Sequence, residues 1–199
     1  MREATVKRLE TIANERTGYI TTEELLKSGI TNRQIAVFVD KGMLEKISHG
    51  HYWLACAGCG KPAEYKAVEL CITNPNLIIC ADSACFYQGL ISVEPERVSA
   101  ATRRSDRSRF RMNFPVSRHY FGDSLFREYS RKIETAFGSY TVYDLERSVC
   151  DVIRFKDSID PAVFDLIIDS YRRSEAKQVD RLLEYAAMVR ILNRVKNYL

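Results

Sequence analysis

The sequence predicts an α+β fold in two parts, a small module over 1–57 and a mixed α/β domain over 62–199 that closes in a helical segment. Three observations carry this. Two Thr-initiated helical segments follow each other across a Ser-Gly turn, and a hairpin pattern ends the first 55 residues. Beyond residue 62, apolar strand patterns alternate with helical periods. With 199 residues and 46% hydrophobic content, the chain can bury at least one sizeable core.

The first helix is expected from about Thr5 to Glu15, where Val6, Leu9, Ile12 and Ala13 recur at helical spacing. It stops near Gly18, and Tyr19 and Ile20 form a short strand. Thr21 caps a second helix with Glu24 at its third position, a capping box, and Leu25 and Leu26 give it an apolar face. After the turn at Ser28, Gly29 and Ile30 the grammar repeats. Thr31 caps, Gln34 answers it, and Ile35, Phe38 and Val39 form an inward stripe ending at Gly42, a natural left-handed C-terminal residue. Leu44 to Ser48 and His51 to Leu54, parted by His49 and Gly50, read as a hairpin. Helix, strand, helix, tight turn, helix, hairpin is the order of a winged helix-turn-helix.

The stretch ACAGCGKP, 55–62, is small and Gly-rich and carries a proline, so the domain boundary is expected there. A helix from about Tyr65 to Thr73 should lead to a buried strand, Leu77 to Cys80, and Asp82 should cap a short helix ending at Gly89. Strands are expected at Arg97 to Thr102, Arg109 to Phe114, Arg118 to Phe121 and near Tyr140 to Tyr143. The last third is helical: Leu145 to Arg154, a helix opened by Asp160 and Pro161 and running to about Arg173, then Val179 to Met188 and Ile191 to Leu199.

No run of 18 apolar residues occurs, and Met1, Arg2 and Glu3 open a charged amphipathic segment and not an apolar signal core, so a cytoplasmic chain without a membrane partner is expected. The six cysteines are too sparse for a disulfide framework. The net charge of +4 does not by itself point to nucleic acid, but it is unevenly spread. Residues 1–55 hold 8 basic and 7 acidic side chains, whereas 96–132 hold 10 and 4, so the excess lies in one central stretch.

In a helix-turn-helix the second helix lies in the major groove with its N-terminal residues at base edges. Thr31, Asn32, Arg33, Gln34, Val37 and Lys41 are therefore the candidate reading face, since Arg suits guanine and Asn or Gln adenine. Lys46, Ser48, His49 and His51 are placed on the wing near phosphates, where contacts set affinity and register. In 109–114, Phe110, Met112 and Phe114 alternate with Arg109, Arg111 and Asn113. One sheet face would then show Arg109 and Arg111 beside the loop holding Arg103, Arg104 and Arg107, either an effector surface for phosphate or acidic protein, or a plain solvated face. Cys56 and Cys59 have the spacing of half a zinc site without a second half, which makes them weak metal candidates, and no cofactor is expected. Glu64, Tyr65 and Lys66 have the spacing of a nuclease half-motif, but no strand brings an aspartate to it. With no P-loop, no GxSxG and His119 read as a packing or surface residue, the chain is expected not to be an enzyme.

The run over 18–55, GYITTEELLKSGITNRQIAVFVDKGMLEKISHGHYWLA, resembles the N-terminal winged helix of AbiEi-type antitoxins, including the wing end Gly50, His51, Tyr52. DSACFYQGL over 82–90 is similar to that family's central helix, and TVYDLERSVCDVIR over 141–154 to its signature at Glu146, Arg147, Ser148, Cys150 and Asp151. The closing run over 182–199 matches its terminal helices. The resemblance implies an autorepressor that binds repeated promoter sequences in double-stranded DNA, with a C-terminal domain that opposes a nucleotidyltransferase toxin indirectly. The wing departs from the pattern, reading Ser48, His49, Gly50 where members are richer in arginine, which bears on phosphate contact and on pH sensitivity through His49 and His51. The alternatives from the residues themselves are a ligand-sensing transcriptional regulator and a DNA-targeted nuclease.

Overall fold

The computed structural model describes residues 3–199; Met1 and Arg2, read above as part of the charged opening, lie outside them. Among the described residues the fold is α+β, with nine α-helices and two sheets. No helix among the described residues is long and apolar enough to cross a membrane.

The chain divides into two compact units. Unit 1 runs to Pro75 and adds two later segments, Arg109–Asn113 and Glu134–Ser139; unit 2 holds the remainder. The boundary expected at 55–62 is therefore corrected. Lys61 is the reason: its ammonium sits 2.6 Å from Glu45 and 2.7 Å from Glu69, so the Gly-rich stretch is pinned at its far end.

In unit 1, α1 (Glu3–Glu15) precedes β1 (Tyr19–Thr21), α2 (Thr22–Lys27), α3 (Asn32–Asp40), β2 (Glu45–Ser48), β3 (His51–Trp53) and α4 (Tyr65–Thr73). The three strands form one antiparallel sheet in the order β1-β3-β2. Both capping boxes form, and both helices close on a left-handed glycine. After α3, Gly42 N–H donates to the Val39 carbonyl at 3.0 Å and Met43 N–H to that of Phe38 at 2.9 Å; Gly29 and Ile30 do the same after α2. These turns lay Leu9, Leu25, Ile30, Ile35, Phe38 and Leu44 into one core. Trp53 stacks edge-on between Tyr19 and Phe137, which comes from the 134–139 segment.

Unit 2 is built on β4 (Ile78–Ile79), α5 (Ala81–Tyr87), β5 (Val98–Arg103), β6 (Val116–Phe121) and most of β7 (Ser130–Thr135) and β8 (Gly138–Tyr143), whose residues 134–139 fall in unit 1, followed by α6 (Leu145–Arg154), α7 (Pro161–Arg173), α8 (Val179–Met188) and α9 (Leu192–Lys196). The sheet order is β6-β5-β4-β8-β7; β5 runs parallel to β6 and antiparallel to β4, and β4 runs parallel to β8. The sequence reading has no strand at β7, whose residues SRKIET lack apolar alternation; it is an edge strand, where charged side chains are tolerated. Asp82 does not cap α5. Cys80 holds the cap position, and the Asp82 carboxylate accepts from the Ser83 N–H inside the first turn.

The helix α6 is buried along eight consecutive residues, including Glu146, Arg147, Ser148 and Asp151. Arg147 is fully buried, with its guanidinium 3.2 Å from the Tyr143 ring centroid and a bond donated to the Glu128 carbonyl. Its contact to Asp151 is long, 3.7 Å, and Tyr185 reaches the same carboxylate only at 3.5 Å. Burial therefore outweighs both cations nearby, Arg147 and Arg154, and lifts Asp151 from 3.8 to about 7.

A carboxyl raised in this way stays protonated in the folded chain while the unfolded one ionises. Its contribution is complete below about pH 4 and is lost as pH rises toward 7. Asp151→Asn should flatten the fall in unfolding free energy between those two values, measured by urea titration; a variant with the wild-type slope would contradict the assignment.

Candidate nucleic-acid interface

The exposure of the α3 tip follows from its cap. Thr31 Oγ1 accepts from the Gln34 N–H at 3.4 Å, and the Gln34 side-chain oxygen accepts from the Thr31 N–H at 2.8 Å. This closes the first turn and leaves Asn32 and Arg33, the two residues between, exposed to solvent. Two expected members of this face are corrected. Gln34 is half-buried and committed, its amide nitrogen also donating to Thr5 at 3.3 Å; Val37 is half-buried as well. Thr31 is exposed, but its hydroxyl serves the cap. Lys41 is exposed at the far end, beside Asp40.

The hairpin carries Lys46 outward, with Ser48 and His51 half-buried and His49 exposed. Gly50, at φ +78°, makes the turn, and its carbonyl accepts from the Thr22 N–H at 2.8 Å, which ties the hairpin to the start of α2. His51 Nδ1 lies 3.2 Å from the His49 carbonyl and therefore donates there.

Most cations of this module are already used. Lys7, Arg16 and Lys27 pair with Glu3, Glu24 and Glu23, and Arg8 donates to the Gly29 carbonyl at 3.1 Å. Arg33, Lys41 and Lys46 have no ion-pair partner among the described residues. A module of nearly balanced charge thus leaves Arg33 on α3, Lys41 at its C-cap and Lys46 on β2 without an ion pair among the described residues.

The five arginines read as one surface are separated. Arg103 ends β5 and pairs with Asp123 at 2.9 Å, and Arg104 and Arg107 lie in the following loop; all three belong to unit 2. Arg109 and Arg111 belong to unit 1. The strand expected over 109–114 is absent. Its alternation survives as burial, with Phe110, Met112 and Phe114 half-buried and Arg109, Arg111 and Asn113 exposed, but the segment joins no sheet ladder. It is held instead by side chains: Thr73 donates to Met112 Sδ at 3.6 Å, and Asn113 reaches Glu45 at 3.5 Å. Arg109 and Arg111 consequently line a cavity of about 260 Å³ with Ser48, His49, His51 and Thr73. Thr73 was not singled out from sequence, and no local pattern marks it.

Cys56 and Cys59 are half-buried thiols, and the described residues hold no cluster of three metal-ligating side chains. Burial raises the Cys56 thiol above its ordinary range. Glu64 precedes α4 without a capping bond. His119 is buried against the Phe155 ring at 4.2 Å and is pushed down to about 4, first by burial and then by Arg154, which keeps it neutral in the core.

No family model and no curated protein match the chain. Among solved structures it is similar to the RV2827C protein from Mycobacterium tuberculosis, with a TM-score of 0.65 and 15% identity over 98% of this chain and 78% of that one. At this identity the likeness concerns the fold.

Because Thr31 and Gln34 serve the cap, Thr31→Ala should lower unfolding stability by about 1 kcal/mol with an unchanged denaturant slope. An unaltered urea midpoint would show that the box contributes nothing.

Proposed function

We propose that this protein is a non-enzymatic, sequence-specific DNA-binding repressor that serves as the antitoxin of a toxin-antitoxin operon. In this reading unit 1 contains a winged helix-turn-helix, α3 enters the major groove of promoter DNA, and the β2–β3 hairpin is the wing. The remainder of the chain opposes a nucleotidyltransferase toxin, and the whole acts in the cytoplasm.

One observation carries the DNA-binding part: Arg33, Lys41 and Lys46, at the recognition helix and the wing, have no ion-pair partner among the described residues, while Lys7, Arg16 and Lys27 pair with glutamates and Arg8 donates to a backbone carbonyl inside the module. Asn32 and Arg33 supply the amide and guanidinium that read adenine and guanine, and they project from a helix whose first turn is already satisfied. The antitoxin part is supported by the resemblance of 18–55, 82–90, 141–154 and 182–199 to AbiEi-type antitoxins.

The test is a gel shift of the protein on its own upstream region at two salt concentrations. Arg33→Ala should lower specific affinity by ~1–3 kcal/mol and leave binding to unrelated duplex unchanged. Lys46→Ala should weaken all sequences alike and reduce the salt slope by about 1. Wild-type binding by both variants would refute the reading. In cells co-expressing the toxin, Arg33→Ala should lose promoter repression and keep growth rescue, which separates the two activities.

A further inference from the structure

We propose that the cavity beside the hairpin seats backbone phosphates of the bound duplex, with Arg109 and Arg111 supplying the wing cations that Ser48, His49 and Gly50 do not. The proposal rests on the DNA-binding reading above and adds a second chain segment to that interface.

The chemistry of the lining is one-sided. Ser48, His49 and His51 come from the hairpin, Ile72 and Thr73 from the end of α4, and two guanidiniums complete it; no carboxylate is present. Arg109 and Arg111 are exposed and have no ion-pair partner among the described residues. A basic face that is merely solvated would tolerate carboxylates among its cations, and the N-terminal module shows that habit at Lys7, Arg16 and Lys27. Here the pattern is the reverse.

The geometry suits a phosphate. About 260 Å³ holds a phosphate group with several waters, at about 30 Å³ for each water. Two residues of chain span at most about 7 Å, so the guanidiniums of Arg109 and Arg111 can grip one phosphate together or two in succession. Both stand opposite the half-buried side chains of their segment, which Met112 and Asn113 anchor to Thr73 and Glu45. Glu45 lies on β2, the strand that carries Lys46. The arginine pair is therefore attached through Asn113 to the strand that carries the wing. His51 donates through Nδ1 to the His49 carbonyl of its own turn and lines the cavity.

The experiment compares full-length wild type, the double variant Arg109→Ala/Arg111→Ala, the double variant Arg109→Lys/Arg111→Lys, and Arg33→Ala. Fluorescence anisotropy is read on the upstream duplex and on a scrambled duplex across a salt series. Circular dichroism and thermal melting check each fold. Removal of two phosphate contacts should flatten the slope of log K against log salt by about 1.8, equally on both duplexes, and weaken binding roughly 10- to 60-fold at 0.1 M salt. The lysine pair should restore most of the slope, because charge releases the counterions and the fork geometry does not. Arg33→Ala should instead act on the upstream duplex alone.

If the alanine pair keeps the wild-type slope while Arg33→Ala loses specificity, the cavity holds no phosphate and the repressor reading stands. If the alanine pair flattens the slope and the lysine pair does not recover it, the arginines act on the shape of the segment and the proposal fails. If wild type binds neither duplex, the repressor reading fails and the proposal with it.

Discussion

Lys61 holds two carboxylates at once, Glu45 on β2 and Glu69 on α4, and the form of unit 1 depends on that bridge. Glu69 is almost fully buried, and besides Lys61, eight residues before it, the Tyr19 hydroxyl donates to it at 3.2 Å across 50 residues. Burial nevertheless leaves Glu69 above the ordinary carboxylate range, which shows that the ammonium only partly offsets the loss of water. A buried carboxylate that lost its cation would leave an unpaired charge, and such losses are far larger than those of exposed pairs such as Lys7 with Glu3. At the C-terminal end of α4 the Thr73 hydroxyl donates to Met112 Sδ.

Unit 2 solves a different problem. The helix α6 is charged in sequence yet buried over Glu146–Ile153, and its polar groups are only partly satisfied internally: Arg147 Nε and Nη2 and Asp151 Oδ2 make no hydrogen bond among the described residues. Asp144 caps its start by accepting from the Arg147 N–H at 2.9 Å, Glu146 accepts from the Gln178 N–H at 3.0 Å, and the Ser148 hydroxyl donates to the Asp144 carbonyl at 2.6 Å. Arg147 spends its guanidinium on aromatic faces, with Tyr143, Tyr185 and Phe121 around it. The run Glu-Arg-Ser-x-Cys-Asp is in this light a core motif of unit 2, because every one of its named side chains is buried.

Charge is distributed by the same economy. The N-terminal module carries few surplus cations and pairs Lys7, Arg16 and Lys27 with glutamates, while the central stretch carries the excess. The fold returns two of those central arginines to unit 1 and leaves Arg103, Arg104 and Arg107 in unit 2. A wing poor in arginine and a segment rich in it thereby become one surface.

Local rules were enough to read the elements themselves. Both capping boxes, the left-handed glycines after α2 and α3, and the limits of α6, α7 and α8 lie where the sequence alone puts them, because caps, turns and helical periods act between residues four or fewer apart. The exposed Asn32 and Arg33 were legible for the same reason, since the cap that frees them is written in Thr31 and Gln34. Gln34 itself was misread because its second bond goes to Thr5, which is 29 residues away. The membership of 58–75, 109–113 and 134–139 in unit 1 was not legible at all. It depends on Lys61 meeting Glu45 across 16 residues, Thr73 meeting Met112 across 39 and Asn113 meeting Glu45 across 68, and no periodicity or cap encodes a contact at such separations. The alternation of Arg109 and Arg111 with their apolar neighbours was visible in the chain, but only tertiary packing decided which surface those arginines would face.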